Sequence, residues 1–181
     1  IRDVEAPQAA ERLSEMTSRL VDELNRAHNA STSLPAPSTM SGRNTGMSLE
    51  NALAGFTGRT TIAVVNDQGI VQGRAEIDFN GGISINGGPA VTAANFLNEL
   101  STALGGVAVT YTNGALSLAT GNANGLAIAD DAADPSSKTG RGFSHFFGLN
   151  DVVTSRTVTN YETGLSGTSQ HGFAAGQNIT L

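Results

Sequence analysis

Residues 9–29 read AAERLSEMTSRLVDELNRAHN. Ala9, Leu13, Met16, Leu20, Leu24 and Ala27 recur at spacings of three and four, the signature of one apolar side of an α-helix. Glu11, Arg12, Glu15, Ser18, Arg19, Asp22, Glu23 and Arg26 fill the other positions and keep the rest of that surface wet. The helix is predicted to begin near Ala6, because Pro7 suits a first turn and Glu5 suits the positive helix end. Running to His28, it spans ~35 Å at ~1.5 Å per residue. Glu23 falls where a strict heptad would place a seam residue, and Leu24 takes over. That drift fits the 3.6-residue period of a packed bundle better than an extended two-stranded coil. Nothing later in the chain is an obvious cover for this stripe. Its partner is therefore expected in another part of the same protein or in a neighbouring subunit.

After Asn29 the composition changes to Gly, Ser, Thr, Asn and short β-rich runs. Ala30 to Gly46, with Pro35 and Pro37, reads as a linker. Ser48 to Phe56 reads as a short helix or docking segment. Strands are predicted at Thr60–Val65 and Ile70–Phe79 about an Asn66-Asp67-Gln68-Gly69 turn, and at Ile83–Ile85, which Asn86-Gly87-Gly88-Pro89 breaks. Thr92 caps a second helix to Leu104, with Phe96, Leu97, Leu100 and Leu104 on its apolar side and Gly105-Gly106 ending it. Val107–Thr112 and Ala115–Thr120 flank Asn113-Gly114, the strongest hairpin signal in the chain. Leu126–Ala129 is a short strand, Asp130–Gly140 an acidic loop, and Gly142–Leu149 an aromatic knot of Phe143, Phe146 and Phe147. From Thr154 the chain is polar, with Phe173 the last aromatic anchor. The predicted class is α+β: a long N-terminal amphipathic helix, then a mainly antiparallel β domain with one covering helix.

The 181 residues accommodate one domain with an appendage. Aromatic content is 5% with no Trp, so the core must rest on Val, Ile, Leu and Ala. The net charge of -6 argues against nucleic acid or an anionic membrane as partner, since both require clustered cations. No run of eighteen apolar residues predicts a membrane span. The absence of Cys removes disulfides and thiolate chemistry together and suits an exported protein. A start at Ile1, without an initiator Met or a signal segment, reads as an excised or processed chain.

Catalytic signals are weak. The glycine pairs Gly81-Gly82, Gly87-Gly88 and Gly105-Gly106 sit at strand and helix ends and read as turns rather than phosphate cradles. His28 lies at a helix end, where an imidazolium suits the carbonyl dipole. His145 sits beside Ser144 in the Phe cluster. A Ser-His dyad there would need an orienting carboxylate and an oxyanion pocket, and a polar residue edging a plug is the plainer reading. His171 reads as a solvated loop residue. Asp130, Asp131 and Asp134 are dense enough to suggest Ca²⁺, but lack the D-x-[DN]-x-[DN]-G pattern, so a solvated acidic loop is favoured. Asn29-Ala30-Ser31 and Asn178-Ile179-Thr180 match the glycosylation sequon, a match common by chance. The sequence thus assigns no catalytic, cofactor-binding or metal residue and predicts no enzyme.

Two stretches together carry a resemblance. Leu24-Asn25-Arg26-Ala27-His28-Asn29 resembles the helix-closing asparagine-histidine motif of flagellar axial proteins, and Gly142 to Asp151 resembles an aromatic segment following the β insert in the hook-associated protein 1 family. Ile83–Gly88, Phe96-Leu97-Asn98 and Val107–Ile128 between them are similar to the small β-rich insert of hooks and flagellins. The resemblance spans most of residues 9–151. It implies a secreted, extracellular structural subunit at the hook–filament junction, exported through the type III channel. Implied partners are other axial proteins (self, hook protein, second junction protein) and an export chaperone. It divides the chain into a core-type helix (1–30), a linker or docking segment (31–58), an α+β outer domain (59–151) and a tail returning toward the core (152–181). Leu13, Met16, Leu20 and Leu24 are then the expected helical contact, and Phe143, Phe146 and Phe147 the plug fixing the tail. An extracellular adhesin or phage-tail module would share the composition without explaining the leading helix. An enzyme using the Asp130 region or His145 is the third reading.

Overall fold

The computed structural model describes residues 2–154. Helix α1 runs over Arg2–Asn29 and contains Pro7, so it starts a turn earlier than the sequence predicts. The chain then forms β1 (Thr39–Ser41), α2 (Leu49–Leu53), β2 (Arg59–Val65), β3 (Val71–Asp78), β4 (Ile83–Ile85), β5 (Ala90–Val91), α3 (Ala93–Ala103), β6 (Ala108–Thr112), β7 (Ala115–Ala119), β8 (Gly125–Asp130) and α4 (Phe143–Phe147). The class is α+β: an N-terminal helix followed by two mostly antiparallel sheets and short helices. One sheet has the order β1-β7-β6, the other β5-β4-β3-β2-β8.

The elements follow from local chemistry. Asn66 Oδ1 accepts from the backbone N–H of Gln68 and Ile70, closing the β2–β3 turn. Asn113 and Gly114 both adopt positive φ (51° and 78°), the geometry that joins β6 to β7 in a two-residue hairpin. Ser48 caps α2 by accepting from Asn51 N. Thr92 caps α3 by backbone conformation, without a side-chain bond.

The strands form two sheets, and the structure departs from the expected single covering helix. β1 lies inside the segment expected to be a linker and takes the free edge of β7, pairing Met40 with Leu118. The β6–β7 hairpin therefore belongs to a second sheet. Helix cover is also divided, since α2, α3 and α4 each bury residues: Leu53, Phe96 with Leu100, and Phe143 with Phe147. A period-two pattern delivers the strand contributions to the same core: Ile62 and Val64, Ala75 and Ile77, Leu116 and Leu118, Leu126 and Ile128. One continuous apolar cluster thus spans both sheets.

The aromatic knot closes this core. Phe143 and Phe147 are fully buried, with ring centroids 4.9 Å apart, and Phe56 stacks on Phe79 at 4.9 Å. Phe146 meets Phe147 edge-on at 5.1 Å. Lys138, the only lysine in the sequence, lies over Phe146 at 4.8 Å and donates to Asn51 O and Ala52 O at the end of α2. It thereby satisfies carbonyls that a five-residue helix cannot pair. Burial lowers its amine below the ordinary 10.5. Positions 155–181, which include His171, Phe173, the Asn178 sequon and nearly all of the predicted tail, lie outside the described residues.

Phe147→Ala is expected to cost about 3–5 kcal/mol in urea unfolding, whereas Leu20→Ala, on the exposed rod, is expected to stay within about 0.5 kcal/mol. Lys138→Met should lose about 1–2 kcal/mol through its two carbonyl bonds and ring contact. The same unfolding curves measure all three.

Candidate interaction site: the rod and its clamp

From Glu5 to Leu20 every side chain of α1 is exposed. Among the described residues, the rod touches the β domain only over its last two turns, through one side. Asp22, Asn25 and Asn29 face the domain. At about 100° per residue, the stripe of Leu13, Met16, Leu20, Leu24 and Ala27 lies roughly 180° away from them. The four large stripe residues remain 59%, 62%, 58% and 50% exposed. The domain is thus attached to the polar side of its own helix, and the apolar side is left open.

The attachment is built mainly from amides. Asn29 is buried, and both ends of its side chain are occupied. Its Nδ2 donates to Asn25 O (2.8 Å) and to Asp151 Oδ1 (2.7 Å). Its Oδ1 accepts from Ser144 Oγ (2.6 Å) and Asn150 N (3.0 Å). Asn25, also buried, accepts at Oδ1 from the backbone N–H of Val152 and Val153 and donates from Nδ2 to Val153 O. Asn150 Nδ2 donates to His28 O, which also accepts from the Ser31 backbone N–H, and to Ser31 O just past the end of α1. His28 Nδ1 donates to Asn150 O at 2.7 Å, a specific bond in place of the diffuse dipole interaction expected for it. Reading these contacts in order, Asn150 lies beside His28, Asp151 beside Asn29, and Val152 and Val153 beside Asn25. The chain leaving the domain therefore climbs back along α1, antiparallel to it.

A charged edge flanks the amides. Asp22 Oδ1 accepts from Arg141 (2.9 Å) and from His145 Nε2 (3.2 Å), and Arg26 lies 3.9 Å from Asp22 Oδ2. Burial, the largest single influence on Asp22, raises its pKa, but the charges and hydrogen bonds of Arg141 and His145 together hold it below 3.8. His145 is 4% exposed. Burial pushes its imidazole below the ordinary 6.5, with Arg43 and Arg141 acting in the same direction and Asp22 opposing. The neutral ring carries its proton at Nε2, facing the carboxylate, while the buried Nδ1 has no hydrogen-bond partner among the described residues. Arg43 donates to His145 O and, through its backbone N–H, to Phe147 O, and its Nε lies 3.6 Å from Asp151 Oδ2. Gly148, at φ +67°, makes room for this pair: a Cβ there would sit 2.6 Å from Asp151 Oδ2 and 2.9 Å from Arg43 Nε.

The other residues singled out in the sequence fall into place as follows. Ser144 Oγ donates to Asn29 rather than to its neighbour His145, so these two side chains form no dyad. Asp130 Oδ1 accepts from Ser136 Oγ, Asp131 Oδ1 from the backbone of Ala133 and Asp134, and Asp134 Oδ2 from Asn80 Nδ2. Each acidic side chain of that loop therefore has a structural hydrogen bond. Among the described residues no three His, Cys, Asp or Glu side chains converge as metal ligands. Asn29, with its amide fully engaged, is closed as a glycan acceptor. The two stretches that carried the sequence resemblance, Leu24–Asn29 and Gly142–Asp151, are hydrogen-bonded to each other. The contribution of Asp22, Arg43 and Arg141 was not read from the sequence. Asn25 and Asn29, four apart on the side opposite the stripe, were the available signal.

The chain matches no protein-family model, no curated protein and no solved structure. No described helix is long and apolar enough to cross a membrane.

Carboxylate scanning of the clamp separates its two asparagines. Asn25→Asp keeps both acceptor bonds and loses one donor. Asn29→Asp sets a carboxylate against Asp151 and loses two donors. Asn29→Asp is expected to cost more than about 3 kcal/mol and Asn25→Asp about 1–2 kcal/mol, as read by thermal or urea unfolding.

Proposed function

We propose that this chain is a segment of a structural subunit of the bacterial flagellum, one that helps join hook to filament through helix packing and an outward-facing β domain with α3 in its cover. The observation that carries the proposal is the placement of the stripe. A 28-residue helix exposes Leu13, Met16, Leu20 and Leu24 on the side its own domain does not use. An apolar helix side left in water is unfavourable, and burial against neighbouring helices relieves it. Asn150 to Val153 lie along the last two turns of the rod, antiparallel to it, so the β domain is carried at one end of a helical stem. The direct bonding of the two resembling segments supports the same reading, because the likeness then covers one physical unit, a rod end and its socket. In this reading the clamp sets the angle between stem and domain, and the stripe meets other axial proteins: copies of itself, the hook protein and the second junction protein. Export through the type III channel with a chaperone, and a final place outside the cell, belong to the same proposal. So does the absence of catalysis.

The test is made in a flagellated cell carrying this chain in its intact protein. Leu20→Glu with Leu24→Glu is expected to abolish filament attachment and swimming. The melting of the isolated 181 residues should move little, because both positions are exposed. Antibody against the β domain should label the hook–filament junction. Normal filaments in the double variant, or labelling elsewhere on the cell surface or on phage particles, would overturn the reading.

A further inference from the structure

We propose that the joint between α1 and the β domain is a proton-operated latch: one proton taken up by His145 releases the rod while the domain stays folded. This inference does not depend on what the stripe packs against.

The geometry that carries it is an imidazole with one used and one unused nitrogen at a buried contact. Nε2–H is spent on Asp22 of the rod, across the joint. Nδ1 is buried without a partner among the described residues. A second proton can go only to Nδ1, where it would create a buried N–H donor with no acceptor. The charged groups around the ring do not relieve this. From α1 comes Asp22, with Arg26 beside it; from the domain come Arg43, which faces Asp151, and Arg141. Asp22 already serves Arg141 and Arg26, and Asp151 faces Arg43 and Asn29. Undocking gives the ring to water, where both nitrogens are satisfied.

The direction in pH follows. The docked imidazole holds its proton less well than a free one, whose value is 6.5. Above pH 6.5 neither state binds the extra proton, and docking is at full strength. As pH falls below 6.5 the released state gains protons first, and docking weakens. The domain core is spared. Phe143 and Phe147, four apart, face inward, and His145 between them points from the opposite side of α4 toward the rod, so lifting α1 exposes the ring without opening the aromatic cluster.

The sequence contains no cysteine, so labels can be placed cleanly at exposed positions by Glu15→Cys on the rod and Glu50→Cys on α2. Energy transfer between two dyes is followed from pH 7.5 to pH 5 alongside circular dichroism. The expected result is one population at pH 7.5, a second growing below pH 6.5, reversal on return, and an unchanged β signal. His145→Gln retains an amide donor for Asp22 but no titrating nitrogen, and is expected to stay docked throughout. The ring proton resonance of His145 in the wild-type chain should titrate with the opening, a readout that stands even where the glutamine variant fails to fold. A constant population in the wild type, opening only near the Asp22 range, opening of His145→Gln equal to wild type, a ring titration separate from the opening, or loss of the whole fold at the same pH would each overturn the proposal.

Discussion

Asn29 is the residue on which the arrangement turns. It is a neutral side chain, buried, with two donors and an acceptor oxygen that reach the rod itself, α4 and the segment after it. A buried amide is tolerated only when its hydrogen bonds are made, and here four are made at once. Because that amide sits on the polar side of the rod, satisfying it turns the apolar stripe toward solvent. Docking the stripe on the domain instead would bring greasy surface inward and strand Asn25 and Asn29. Specificity of orientation thus comes from polar groups, while the apolar surface supplies unsatisfied demand.

The domain itself rests on a more ordinary principle. Two sheets share one apolar core, and the aromatic cluster closes it beside α2 and α4, with the end of the rod bonded to α4. Residues 42–45 couple this core to the clamp. Gly42 N bonds Leu116 O on β7, Arg43 N bonds Phe147 O on α4, and Thr45 N bonds Gly114 O in the β6–β7 turn. Any shift of α4 is therefore felt both in the three-stranded sheet and at the rod, so the clamp is anchored to packed structure and not to a loose loop.

What the sequence made legible was local. Asn113-Gly114 announces its hairpin because few residue pairs accept positive φ at both turn positions. Ser48 and Thr92 announce helix starts, and the spacing of Leu13, Met16, Leu20 and Leu24 announces an uncovered stripe. The strand whose absence from the pattern mattered most depends on a distant partner. Thr39–Ser41 carries one large apolar residue, Met40, in a stretch rich in Ser, Thr and Pro, and becomes a strand because the edge of β7 is there to pair with it. That pairing also decides that there are two sheets. The clamp was hidden for a different reason. A buried Asn and a wet Asn look alike in a helical pattern, and only the fold shows that the side opposite the stripe is the covered one, over the last two turns.

One consequence of the long exposed rod is mechanical. Some twenty residues of α1 project beyond the clamp, ~30 Å of arm, while the clamp grips the last eight, ~12 Å, a lever ratio of about 2.5. A sideways push at the free tip is therefore magnified by that ratio at the fulcrum formed by Asp22, Asn25 and Asn29. A neighbour seated near Leu13 would brace that arm about midway along its length and take part of the bending moment off the joint.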